Sequence, residues 1–177
     1  MTRADATPLP RPPSWGEPRR KTITWYDPIL GAQAGASLAG IDHLGAIRRG
    51  ELPPPPMAAH FNFTIVEVSA GQVTFVCEPD ESAYNPIGLV HGGLVCTLID
   101  SVLGCAVQST LPAGVGYTSI EIKVNYLRPV RADTGPLRAQ GRVTKPGRRV
   151  AFAEADVSDP AGTLLATGQG TCLVMSE

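Results

Sequence analysis

Apolar residues recur along this chain with two different periods, and the changes of period mark its elements. Between Gly92 and Gln108, residues Leu94, Val95, Leu98, Ile99, Val102, Leu103, Ala106 and Val107 fall at helical spacing. They cover more than half of the cylinder, so this helix is expected to be buried rather than laid on a surface. Leu111-Pro112-Ala113-Gly114 ends it. Period-two runs flank the helix. Residues 61–68 and 72–78, joined by Ser69-Ala70-Gly71, predict a hairpin. After the helix, residues 118–127 alternate, with Ile120, Ile122, Val124 and Tyr126 assigned to one face. Residues 136–144 and 149–157 are divided by the turn signal Lys145-Pro146-Gly147-Arg148, and residues 164–174 form a last strand. Two strands, one apolar helix and four hairpin-linked strands imply an α+β fold in which an antiparallel sheet covers the helix.

The first third of the chain follows different rules. Ten of the 17 prolines lie in residues 1–56. Residues 1–24 combine five of them with Arg19-Arg20-Lys21 and little apolar content, which predicts a flexible arm. Asp27-Pro28 has the form of an N-cap followed by proline at the first helical position. Ser37 is expected to cap a second helix with Leu38, Ile41, Leu44 and Ile47 on one stripe, closed by Arg48, Arg49 and Gly50. Pro53-Pro54-Pro55-Pro56 then reads as a stiff extended connector. Residues 25–56 thus form a helical extension with its linker, too short for a core of its own, and residues 57–177 the principal domain.

Composition narrows the function classes. Of 177 residues, 43% are apolar and 18% charged, with a formal net charge of −1. That balance offers no electrostatic footprint for nucleic acid, and no apolar run is long enough to span a membrane. The first thirty residues lack the apolar stretch of a secretory signal, and the four cysteines have no zinc-ligand spacing. The expectation is a cytoplasmic protein with reduced thiols and no bound metal or cofactor.

The chemistry concentrates around the apolar helix. Asn85-Pro86-Ile87-Gly88-Leu89-Val90-His91-Gly92-Gly93 leads directly into it. Glycines at a helix start bare backbone N–H groups, which with the helix dipole can stabilise an oxyanion. Asp100 interrupts the apolar helix, where an ionised carboxylate is costly unless paired or put to use. Its neighbours Cys96, Thr97 and Gly104 are small, leaving room for a ligand or a partner helix. Gly92 and Asp100 are eight residues apart, about 12 Å along a helix, too far to hold one carbonyl together. If both act on one substrate atom, two chains must share each site through antiparallel pairing of the helices, giving a homodimer with composite sites.

Asn85, His91-Gly92-Gly93, Asp100, Asn125-Tyr126-Leu127-Arg128-Pro129 and Lys145-Pro146-Gly147-Arg148-Arg149 together resemble the hotdog-fold acyl-CoA thioesterases of the phenylacetate-degradation (PaaI-like) group. The resemblance covers residues 60–175. It implies a hotdog fold, a curved antiparallel sheet wrapped around one long central helix, here with an N-terminal helical extension. It implies hydrolysis of an aromatic or medium-chain acyl-CoA, with coenzyme A entering as part of the substrate. The Gly92 N–H would polarise the thioester carbonyl. Asn85 and His91 would position substrate or water, and Asp100 of the partner chain would act as general base or nucleophile. The hydroxyl that assists in relatives aligns with Ser119, with Thr118 as the adjacent alternative. Ser119, on the strand face opposite Ile120 and Ile122, is expected to point away from the core. Gly93 and Tyr126 would line the substrate site. Arg128, Arg131, Lys145, Arg148 and Arg149 are the cations available to coenzyme A phosphates. Pairing of two dimers into a homotetramer is left open. A hotdog hydratase or dehydratase and a non-catalytic acyl-CoA-binding regulator are the competing classes. The Asn–His-Gly-Gly–Asp arrangement favours hydrolysis, and the lack of a helix-turn-helix pattern disfavours the regulator. His43 and His60, with no partner pattern, read as structural.

Overall fold

The computed structural model describes residues 12–175. Residues 1–11 of the expected arm lie outside the described residues. The extension comprises α1 (Pro28–Ala36) and α2 (Gly40–Arg48) and runs on past its expected end at residue 56 through α3 (Pro56–Phe61). The principal domain follows as β1 (Phe63–Ser69), β2 (Gln72–Cys77), α4 (Gly92–Gln108), β3 (Gly116–Tyr126), β4 (Leu137–Lys145), β5 (Val150–Ser158) and β6 (Leu164–Met175). Its six strands form one antiparallel sheet in the order β1-β2-β4-β5-β6-β3. The hairpins β1–β2, β4–β5 and β5–β6 pair locally. The crossing through α4 carries β3 to the far edge, beside β6. None of the helices described is long and apolar enough to cross a membrane.

The helix and the sheet bury each other. Leu94, Leu98, Ile99, Val102, Leu103 and Val107 of α4 are almost wholly buried. They meet Val73, Phe75, Leu137, Ala139, Ala153 and Val157 of the sheet in one continuous core. Small residues let the layers close: a Cβ on Gly141 of β4 would overlap the Val102 carbonyl, and one on Gly168 of β6 would overlap Ile99. Phe63 and Phe75 stack with centroids 5.3 Å apart and seal one flank.

The extension departs from expectation in three places. Asp27 does cap α1, accepting from the Ile29 N–H at 2.8 Å. Ser37 does not cap α2. It ends α1, and α2 begins after Ala39 without a side-chain cap. The start of α2 is set by packing instead, because Gly40 lies flat against the end of α4. Its N–H donates to the Leu111 carbonyl at 2.9 Å, and a Cβ there would overlap the Gln108 carbonyl oxygen. Of the expected stripe, Leu44 is buried while Ile41 faces outward. Finally, Pro56 is not part of the connector. It occupies the first turn of α3, which delays β1 to Phe63. Gly50, at φ 75°, terminates α2 as its position implied.

Within the expected arm, Lys21 donates to Asp80 at 2.6 Å and to the His60 carbonyl at 3.1 Å, and Arg19 pairs with Glu81, so this stretch is held against the domain. Trp25 stacks on His60 at 6.2 Å. His43 packs its ring on Gly35, and burial lowers its pKa, so it is neutral at pH 7. The seat of α2 gives a direct test. Gly40→Ala must displace the Gln108 backbone, and such overpacking costs about 1–3 kcal/mol. Calorimetry is expected to show a Tm several degrees lower than wild type; an unchanged Tm would mean that α2 is not held by this contact.

Candidate functional site

The loop before α4 is built by its own polar side chain. Asn85 Oδ1 accepts from the Ile87 N–H at 3.1 Å and the Leu89 N–H at 3.0 Å, and the Asn85 N–H donates to the Leu89 carbonyl at 2.7 Å. Gly88 adopts φ 78°, which closes the turn. The exit is pinned as well: the Val90 N–H donates to the Val130 carbonyl at 3.0 Å and the His91 N–H to the Ala83 carbonyl at 2.8 Å. With its oxygen committed to the loop, Asn85 has its amide NH2 left to offer.

His91 is the N-cap of α4. Its Nδ1 accepts from the Gly93 N–H at 2.8 Å, an arrangement that requires an unprotonated Nδ1 and leaves Nε2 exposed. Gly93 therefore spends its N–H on the cap. Among the described residues no acceptor meets the Gly92 N–H. Tyr126 lies against Gly92, where a Cβ would stand 3.1–3.3 Å from the phenol ring, and its hydroxyl donates to the Gly92 carbonyl at 3.0 Å. Burial raises the Tyr126 pKa, with the nearby Cys96 adding to the shift, so the phenol stays neutral and the bond holds. A cavity of about 290 Å³ opens here, lined by Gly92, Val95, Tyr126, Leu127, Arg128 and others. The bare donor at the positive end of α4 faces a space that can receive a carbonyl oxygen.

Asp100 belongs to a different cavity. It is exposed on α4, and the Ser119 hydroxyl donates to its Oδ1 at 2.8 Å. Ser119 thus points toward the helix, contrary to the simple alternation. A β-bulge between Ser119 and Glu121 inserts Ile120, which turns outward at 55% exposure, and returns Ile122 and Val124 to the inner face. Thr118 lies on the opposite strand face from Ser119. The cavity beside this pair measures about 360 Å³ and is walled mostly by apolar side chains, among them Met57, Phe63, Ile65 and Phe75. The room expected beside Gly104 is taken by Tyr117, whose phenol sits where a Gly104 side chain would be. Burial, followed by the charge of Asp100, pushes the Cys105 thiol up to about 12, so it contributes a neutral wall and not a nucleophile. Burial likewise raises the Tyr117 pKa well above the ordinary phenol value.

The cations fall into two groups. Arg128 lines the cavity at Gly92 and donates to the Leu164 carbonyl at 2.7 Å, while Arg131 is exposed in the next turn. Lys145, over the Phe152 ring at 6.0 Å, sits at the β4–β5 turn with Arg148 and Arg149. Arg148 lines a third cavity, beside Thr110 and Leu111 just past the C-terminal end of α4. One chain therefore separates the donor at Gly92 from the carboxylate at Asp100. Tyr117, Cys105 and the extension residues around Asp100 carried no motif of their own; the glycine at position 104 was the one sign that something packs there.

Comparisons with known proteins agree with this architecture. The sequence profile described as the thioesterase superfamily matches residues 87–166. A Halobacterium salinarum protein named as an esterase is 40% identical over 98 residues, 51% of this chain and 63% of that protein, just under two thirds of its length. Acyl-coenzyme A thioesterase 13 from Homo sapiens is 30% identical over 109 residues, 61% of this chain and 76% of that enzyme. The crystal structure of a phenylacetic acid degradation-related protein from Ralstonia eutropha superposes with a TM-score of 0.68 at 30% identity, covering 73% of this chain and 98% of that one.

Proposed function

The chain belongs to the thioesterase superfamily of hotdog-fold thioester hydrolases, and from that premise we propose that it hydrolyses an aromatic or medium-chain acyl-CoA at two composite sites of a homodimer. The observation that carries the reading is the division of the machinery. The bare Gly92 N–H and the Ser119-held Asp100 carboxylate line separate cavities of one chain. Antiparallel pairing of two α4 helices about a two-fold axis brings Gly92 of one chain opposite Asp100 of the other.

In that site the Gly92 N–H and the α4 dipole bind the thioester oxygen as negative charge develops on it. The His91 Nε2–H and the Asn85 amide stand beside the same loop to orient substrate or water. Ser119 occupies Oδ1 of Asp100, which leaves Oδ2 to receive a proton from water. The water oxygen bonds to the acyl carbon, the C–S bond breaks, and the proton passes from Asp100 to the departing coenzyme A sulfur. As nucleophile, the same carboxylate oxygen would attack the acyl carbon and expel coenzyme A as its thiolate; water would then cleave the mixed anhydride to the free acid and regenerated Asp100, and the proton it releases would go to the thiolate. Arg128 and Arg131 at one end, and Lys145, Arg148 and Arg149 at the other, supply cations for the phosphates.

The test is hydrolysis of acetyl-, hexanoyl-, dodecanoyl-, benzoyl- and phenylacetyl-CoA, followed by loss of thioester absorbance. Turnover is expected to be greatest with the hexanoyl or aryl substrates. Binding of every substrate without turnover would instead select the regulator.

A further inference from the structure

Resting on the reading of Asp100 and Ser119 as part of the reacting centre, we infer that the N-terminal extension forms the specificity wall of the acyl chamber, with Ile47 as the partition that sets its depth. Apart from Asp100 and the hydroxyls of Thr64, Ser101, Tyr117 and Ser119, the chamber is lined by apolar side chains. Among the described residues lining it, Asp100 is the one carboxylate, and its facing wall comes from Leu44, Ile47, Pro54, Pro55, Met57 and Ala58. All six come from α2, the proline connector and α3, ahead of the first strand of the sheet.

A second cavity of about 270 Å³ adjoins the first, reaching Asp27, His43 and Gln108 beneath α1. Leu44, Ile47, Pro54, Pro55, Cys105 and Tyr117 line both cavities and therefore stand between them. Most of that partition is immovable. Leu44 is anchored in the core at 4% exposure, and the prolines have fixed φ. Tyr117 is wedged on Gly104. Ile47 is half-buried on the last turn of α2 and is free of those constraints.

The wall is also rigid. Gly40 seats the start of α2 on α4, and the Glu51 N–H donates to the Ala46 carbonyl at 2.9 Å as α2 ends. Pro53–Pro55 then bridge to α3, whose Ala58 is buried. A rigid apolar wall rejects an acyl group by size, because one methylene too many costs roughly 10–200-fold in kcat/KM. The first chamber therefore takes a compact apolar acyl group, and the second is closed to it while Ile47 is in place.

Changing Ile47 in both directions tests this. Ile47→Ala joins the chambers and is expected to raise the dodecanoyl-to-hexanoyl ratio of kcat/KM by about tenfold or more. Ile47→Trp fills the first chamber and is expected to lower the hexanoyl-to-acetyl ratio by a similar factor. Circular dichroism and thermal melting establish that each variant is folded; should the Trp variant fail to fold, the Ala variant alone decides. Ratios that stay at wild-type values in a folded variant overturn the inference. Asp100→Asn, measured on the same substrates, separates the two levels: full activity there would sink the reacting centre itself. Lost activity there with unmoved Ile47 ratios would sink the wall alone.

Discussion

Asp100→Asn is expected to lower kcat/KM for the best acyl-CoA by about 10²–10⁴-fold, the range contributed by a positioned general base. Asparagine keeps the shape of the side chain and can still accept from the Ser119 hydroxyl, so the 2.8 Å contact that orients it has a replacement. What disappears is the capacity to take a proton or to attack carbon. Asp100 is exposed on the apolar helix and forms no salt bridge among the described residues, so an uncharged replacement breaks no ion pair there. Stability should therefore change little, and a melting curve close to wild type would attribute the lost rate to chemistry. Steady-state kinetics on the purified variant check both parts. Full activity in a folded Asp100→Asn protein would remove the carboxylate from the mechanism and leave the oxyanion donor as the main catalytic device.

Much of this arrangement could be read from residue order because the relevant interactions are local. The apolar helix over 92–108 announces itself by period, and the β4–β5 hairpin by Lys145-Pro146-Gly147-Arg148. Asp27-Pro28 caps its own helix two residues on. Most of the failures have the opposite character, since they depend on a partner distant in sequence. Ala39 precedes α2 because Gly40 must lie on Gln108 and Leu111, and no local cap competes with that contact. The placement of β3 beside β6 follows from the crossing of α4 and is invisible to strand periodicity. Ser119 is the instructive case. Strict alternation sends it outward, whereas one inserted residue, Ile120, turns it toward Asp100 and brings a hydroxyl to the carboxylate. The chamber walls share this origin. Met57, Phe63, Phe75 and Tyr117 come from four separate elements, and nothing in their spacing says that they meet.

Gly92→Pro is expected to lower kcat by about 10²–10³-fold, the usual loss when one oxyanion donor is removed. Proline deletes the N–H, and the first position of α4 tolerates it, because that N–H has no helical partner. His91 already holds φ −64° and ψ 134°, the extended region that a residue before proline requires. The cost is at Tyr126, which must shift by a few tenths of an ångström to clear a Cβ at 3.1–3.3 Å. Circular dichroism should thus report an intact α4 in an inactive protein. The same variant tests the composite site. In the proposed homodimer, Gly92→Pro and Asp100→Asn are each expected to disable both sites. Unfolding and refolding them together in equal amounts makes about half of the dimers mixed, and each mixed dimer holds one site with both groups intact. Activity should return to about a quarter of wild type, since half of the dimers then carry one working site of two. A mixture as inactive as its parents would mean that Gly92 and Asp100 serve the same chain, and the two-fold pairing of α4 helices would lose its mechanistic reason.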